Sequence, residues 1–140
     1  GWVDSKGNKL DDERTMLYFA PRKAGSGWAR PNKERVERLI AQGLMAPAGL
    51  AKIEAARLDG SWEKLDDVED LVVPEDLAAE FARYPNAATH FEAFPRSAKR
   101  AILEWLVQAK RTETRQKRIE EAARLANENL RANQWQPPTK

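Results

Sequence analysis

Two rhythms of apolar residues run along the chain. The first is short: residues 15–19, Thr-Met-Leu-Tyr-Phe, are apolar and aromatic, with charges before them and Pro21 after. That composition predicts a β-strand. Trp2-Val3 predicts a second strand, with Ser5-Lys6-Gly7-Asn8 as its turn. One or two short strands do not make a stable sheet in water. The missing partner is therefore expected upstream or in another chain, and a homo-oligomer formed through the unpaired strand follows from that.

The second rhythm is helical. Asn32 reads as an N-cap, followed by a stripe of Val36, Leu39 and Ile40 that ends at Gly43. Pro47 opens another helix with Leu50 and Ile53 inward and Asp59-Gly60 as the stop. Residues 61–73 form an acidic connection pinned by Trp62, Leu65, Val68 and Leu71. Pro74-Glu75-Asp76 starts the next helix, with carboxylates at the positive end of its dipole and Leu77, Ala78 and Phe81 facing inward. A short turn carries Phe91 and Phe94. Beyond Pro95, the residues Ala98, Ala101, Ile102, Trp105, Leu106 and Ala109 keep a 3.6 period, which predicts a buried Trp105. A last helix over 112–132 has Ile119, Ala122, Ala123, Ala126 and Leu130 as its stripe. The pattern predicts a mainly α protein (α+β), a C-terminal helical bundle with a small N-terminal β element. Its parts are 1–58, an acidic connection at 59–74, a helical domain at 75–132 and a loose tail at 133–140.

Composition changes this picture in three ways. A mean hydropathy of −0.73 and 33% charged residues imply a thin core and a wet surface. No apolar run is long enough to span a bilayer. No secretory pattern is visible at residues 1–4 and there is no Cys, which excludes disulfides and thiolate chemistry and points to a cytoplasmic setting. The net charge of +2 hides a partition. Residues 1–58 carry 11 Lys/Arg and 7 Asp/Glu, residues 59–81 carry 1 and 9, and residues 82–140 carry 12 and 6. An acidic belt between basic segments neutralises itself within the fold, or leaves a basic face for an anionic partner.

The catalytic inventory is small. His90 is the single histidine, and between Thr89 and Phe91 it reads as a structural imidazole. One His without Cys builds no multi-histidine or thiolate metal site, and the Ser spacing suggests no triad. No enzyme, no catalytic residue, no metal and no cofactor is expected. Two basic elements remain. In the loop after the first strand, Arg22, Lys23, Arg30, Lys33 and Arg35 surround Gly25, Gly27 and Trp28, ahead of a helix whose first N–H groups are open to an anion. The G-x-x-x-x-G-K-[ST] spacing is absent. The loop thus reads either as an anion cradle or as a turn anchored by Trp28. In the second element, Lys110, Arg111, Arg115 and Arg118 cluster, and the stripe of Ile119, Ala122 and Ala126 extended backwards turns Arg115 half inward. Such an Arg needs a carboxylate such as Glu104, free helix carbonyls, or an external anion.

The segments "GWVD" (1–4), "YFAPRK" (18–23), "GWARPNKERVERLI" (27–40) and "EWLVQAKRTETRQKRIEEAARLA" (104–126) resemble the YdeI/OmpD-associated, bacteriocin-protection family, across nearly the whole chain. The most distinctive piece is "AKRTETRQKRI" (109–119), in the C-terminal OmdA-like domain. The resemblance implies protection from bacteriocins or cationic peptides and an envelope connection, with no reaction or cofactor. It also implies residues before "GWVD", so the N-terminal part reads as truncated. Trp2, Asp4, Pro21, Arg22, Trp28, Asn32, Lys110, Thr114 and Arg115 are the motif positions it marks as functional or architectural. Two partner classes follow: a protein or peptide, and an anionic ligand or nucleic acid held by the Arg/Lys clusters at 22–35 and 110–118.

Overall fold

The computed structural model describes residues 1–5 and 7–134. Lys6 of the expected turn and residues 135–140 of the expected tail lie outside the described residues. The protein is mainly α, with seven helices and two small two-stranded sheets among the described residues. It divides into two compact units, Gly1–Leu65 and Asp66–Lys140.

The first unit begins with a β-ribbon. Strand β1 (Trp2–Asp4) pairs antiparallel with β4 (Phe19–Pro21), placing Trp2 opposite Pro21, Val3 opposite Ala20 and Asp4 opposite Phe19. Strand β2 (Asn8–Lys9) pairs with β3 (Thr15–Met16). The expected unpaired strand therefore finds its partner inside the chain, which removes the ground for an oligomer built through it. The hairpin closes at residues 10–14 rather than at 5–8. Leu10 N–H donates to the Arg14 carbonyl at 2.9 Å, and Asp11 Oδ1 accepts the N–H groups of Glu13 and Arg14 at 3.1 and 2.8 Å. An Asp that binds the N–H groups following it is a strong turn former.

Helix α1 (Arg30–Ala41) starts from Ala29, not Asn32, because Pro31 is already suited to the first turn. Asn32 is the third residue of the helix, its N–H bonded to the Ala29 carbonyl at 2.9 Å. Helix α2 (Pro47–Leu58) follows. The apolar stripes are narrower than the sequence predicts: Val36 and Ile53 are buried, whereas Ile40 and Leu50 are exposed. The core is Trp28, Val36, Ile53, Ala56 and Trp62, with Met45 against it. The indoles of Trp28 and Trp62 lie 5.1 Å apart, tilted by 46°.

The second unit contains α3 (Asp66–Glu69), α4 (Glu75–Phe81), α5 (Ala87–Ala93), α6 (Arg96–Val107) and α7 (Thr112–Asn127). Helix α7 packs on α4, α5 and α6, and α3 packs on α6. Phe81, Phe91 and Phe94 stack in sequence, with centroids 5.1 and 5.9 Å apart. Helix α6 is rotated from its expected setting. Ala98, Ile102, Leu103 and Leu106 are buried, and Trp105 is only half-buried. The predicted stripe of six residues is wider than the face its neighbours cover, so the face settles toward Leu103. Ala78 is exposed, and α7 ends at Asn127, leaving Leu130 beyond the helix and exposed.

Candidate functional site

The two basic clusters have different surroundings. In the first unit, β4 ends at Pro21 and hands the chain to the loop that carries Arg22. Gly25 takes φ +71°, a left-handed conformation that suits glycine. Gly27 is needed for space: a Cβ there would stand 2.7 Å from the Leu65 side chain. This close approach buries Trp28 in the core, and the guanidinium of Arg22 lies 3.9 Å above the Trp28 ring.

Arg22 is half-buried and has no carboxylate partner among the described residues. One terminal nitrogen donates to the Gly27 carbonyl at 3.1 Å. Its Nε is buried without an acceptor. Burial lowers the basicity of the group from its ordinary value. A cation in this state is costly unless an anion joins it.

Arg22, Asn32 and Arg35 are polar residues lining a cleft of about 300 Å³. Trp28, Val36, Leu39, Met45 and Ile53 supply its apolar lining, and Trp2 stands at it as well. No carboxylate lines it. Lys23 is exposed and borders a smaller recess of about 50 Å³ that also meets Arg22. Lys33 and Arg57 stand over the Trp62 ring at 5.3 and 5.1 Å. The structure thus brings together Trp2, Arg22, Trp28 and Asn32. Asp4 and Pro21 are exposed on the ribbon, where they set its pairing.

In the second unit the arginines are matched internally. Arg115 holds Asp76 through two bonds, Nε to Oδ2 at 2.6 Å and Nη2 to Oδ1 at 3.0 Å, and Nη1 donates to the Leu106 carbonyl at 3.3 Å. Asp76, not Glu104, is the carboxylate partner, because Arg100 already binds Glu104 at 2.7 Å and Glu69 at 2.8 Å. The Arg115 bonds, aided by the backbone N–H of Leu77, hold the Asp76 carboxyl below its ordinary pKa. Arg118 donates to the Trp105 carbonyl and lies 5.0 Å over that ring. Thr114 is half-buried, while Lys110 and Arg111 are exposed. His90 Nδ1 is 2.8 Å from the Ala126 carbonyl, a contact that ties α5 to α7. Among the described residues, no group of His, Cys, Asp and Glu is placed to hold a metal ion. No helix among them is long and apolar enough to cross a membrane.

Comparison with known families separates the same two regions. Residues 70–129 match the model of OmdA, described as bacteriocin-protection, YdeI or OmpD-associated. The "AKRTETRQKRI" segment falls inside the OmdA match. The "GWVD", "YFAPRK" and "GWARPNKERVERLI" segments fall inside a different match, residues 1–52 to a domain of unknown function, DUF8412. The OmdA match thus lies within the second unit and does not span the whole chain. Searches of curated proteins and of solved structures gave no match.

Sequence reasoning marked Arg22 and Trp28 but not the apolar residues that line the cleft with them. Leu39, Met45 and Ile53 are ordinary helical hydrophobes in sequence, and nothing in their spacing says that they border a cleft. Asp76 was legible only as a helix-start carboxylate.

Proposed function

We propose that this is a non-catalytic, cytoplasmic binding protein with a role in bacteriocin or stress protection, and that its binding centre is the Arg22 cleft of the first unit. The observation that carries the reading is Arg22 itself, stacked on a buried indole with a buried donor unmatched. Structural arginines, such as Arg115, have their acceptors supplied by the fold. An arginine without them suits an anion that arrives from outside. The OmdA domain supports the protection role by family resemblance. The alternative, nucleic acid along residues 110–118, is weakened because Arg115 and Arg118 are engaged inside their own unit.

A thermal-shift panel of anions at constant ionic strength tests the binding centre. At least one anion should raise the melting temperature of the wild type and leave the Arg22→Met/Arg35→Gln double variant unmoved, since a ligand stabilises only the state it binds. Equal shifts in both proteins would remove the cleft from consideration. For the biological role, cells producing the wild type should outlive cells producing the double variant under bacteriocin challenge.

A second reading has its own support. Trp2, Met16, Leu17, Tyr18 and Phe19 expose 50–69% of their surface along the ribbon. Such a strip suits an apolar peptide. Peptide binding that survives high salt and is lost on Tyr18→Ser would favour it.

A further inference from the structure

We propose that the Arg22 cleft takes a small monocarboxylate with an apolar body, an aryl-alkyl or medium-chain carboxylic acid, its carboxylate held between Arg22 and Arg35 and its body against Leu39, Met45 and Ile53. The inference rests on the reading of the cleft as the binding centre and adds the chemical class of its occupant.

Size sets the first limit. About 300 Å³ is at the small end of ligand pockets and suits a compact molecule. Lining chemistry sets the second. Two of the lining residues are cationic, Arg22 half-buried and Arg35 exposed, and Asn32 adds an amide that can donate or accept. The remaining wall is aliphatic, thioether and indole. An inorganic dianion would satisfy the cations but leave the apolar wall facing its hydration shell, and stripping that shell is costly. A neutral apolar molecule would cover the wall and leave Arg22 unmatched. A carboxylate on an apolar body meets both demands, and its two oxygens fit the planar donor edge of a guanidinium. The internal bond of Arg22 to the Gly27 carbonyl uses only one terminal nitrogen, which leaves the other for a carboxylate oxygen. Trp28 beneath the guanidinium fixes its plane.

The test is calorimetric titration of the whole chain with three probes: 4-phenylbutyrate, its neutral amide 4-phenylbutanamide, and inorganic phosphate. Phenylbutyrate should bind and change the tryptophan fluorescence. The amide should bind at least about tenfold more weakly, because a charge-assisted hydrogen bond is lost. Arg35→Gln, a change on an exposed side chain, should weaken phenylbutyrate by about tenfold without altering the circular dichroism spectrum. Arg22→Met should weaken it further. Phosphate binding more tightly than phenylbutyrate would overturn the carboxylate class while leaving the cleft as an anion site. Acid and amide binding alike would overturn the role of the arginines. If no probe binds and the broader anion panel also leaves the melting temperature unmoved, the proposed binding centre falls with the inference.

Discussion

Arg22 and Arg115 are both half-buried arginines, one just after strand β4 and the other in the first turn of α7, and their surroundings could hardly differ more. Arg115 has a carboxylate on two nitrogens and a helix carbonyl on the third. Arg22 has one backbone carbonyl, an indole face and an unmatched Nε. A fold spends Arg115 as a clamp between α4 and α7. Arg22 has a floor but no opposing charge, which is how a site looks when part of its chemistry comes from outside. The lesson is that the basic character of a segment says little until its acceptors are counted.

The largest break in this comparison comes from removing the floor. Trp28→Ala should cost about 3–5 kcal/mol, the range for a large buried aromatic, because it opens a cavity against Trp62 and leaves Arg22 without its stack. Chemical denaturation measures it, and a loss below about 1 kcal/mol would mean that the first unit does not depend on this core. Arg115→Ala should cost about 1–2 kcal/mol, since Asp76 and the Leu106 carbonyl lose a charged donor. A double-mutant cycle with Asp76→Asn should show coupling between the two.

Acid gives the next effect. The Arg115 bonds depress the folded-state pKa of Asp76, so its contribution is complete above the unfolded value of about 4 and is lost as pH falls through the lower folded value. Because the pair is partly exposed, this amounts to under about 1 kcal/mol. Stability of Asp76→Asn should therefore decline less steeply below about pH 4 than that of the wild type. An unchanged acid limb would show that the ion pair does not persist in solution. The smallest effect is expected at Arg22. Arg22→Met keeps the length of the side chain and removes a desolvated charge, so stability should change by under about 0.5 kcal/mol, in contrast to Arg115→Ala. A loss comparable with that of Arg115 would erase the distinction between the clusters.

Much of the architecture was readable from residue order. Prolines 31, 47, 74 and 95 mark helix starts because a residue without an N–H loses nothing there. The inward turn of Arg115 was readable because its position continues the stripe of Ile119, Ala122 and Ala126. Its partner was not: Asp76 is remote in sequence, and Glu104, the nearer choice, was already taken by Arg100. Trp105 was misjudged because a periodic stripe reports which residues can be buried, while the neighbouring helices decide how wide a face is covered. The hairpin was misjudged at its turn, where Asp11 outweighs Gly7 by supplying its own hydrogen bonds. The cleft was half readable. Charge near Trp28 is visible in sequence, but its apolar wall exists only once α1 and α2 are folded.

The tilted pair of Trp28 and Trp62 has an optical consequence. Two indoles with centroids 5.1 Å apart and planes inclined by 46° are close enough for their electronic transitions to mix. The first unit should therefore show an exciton couplet in its ultraviolet circular dichroism. Trp105 has no indole partner of this kind among the described residues. Melting of the couplet would report on the first unit, while the helical signal would be dominated by the second. One heated sample, read at two wavelengths, would then show whether the units unfold together or one at a time.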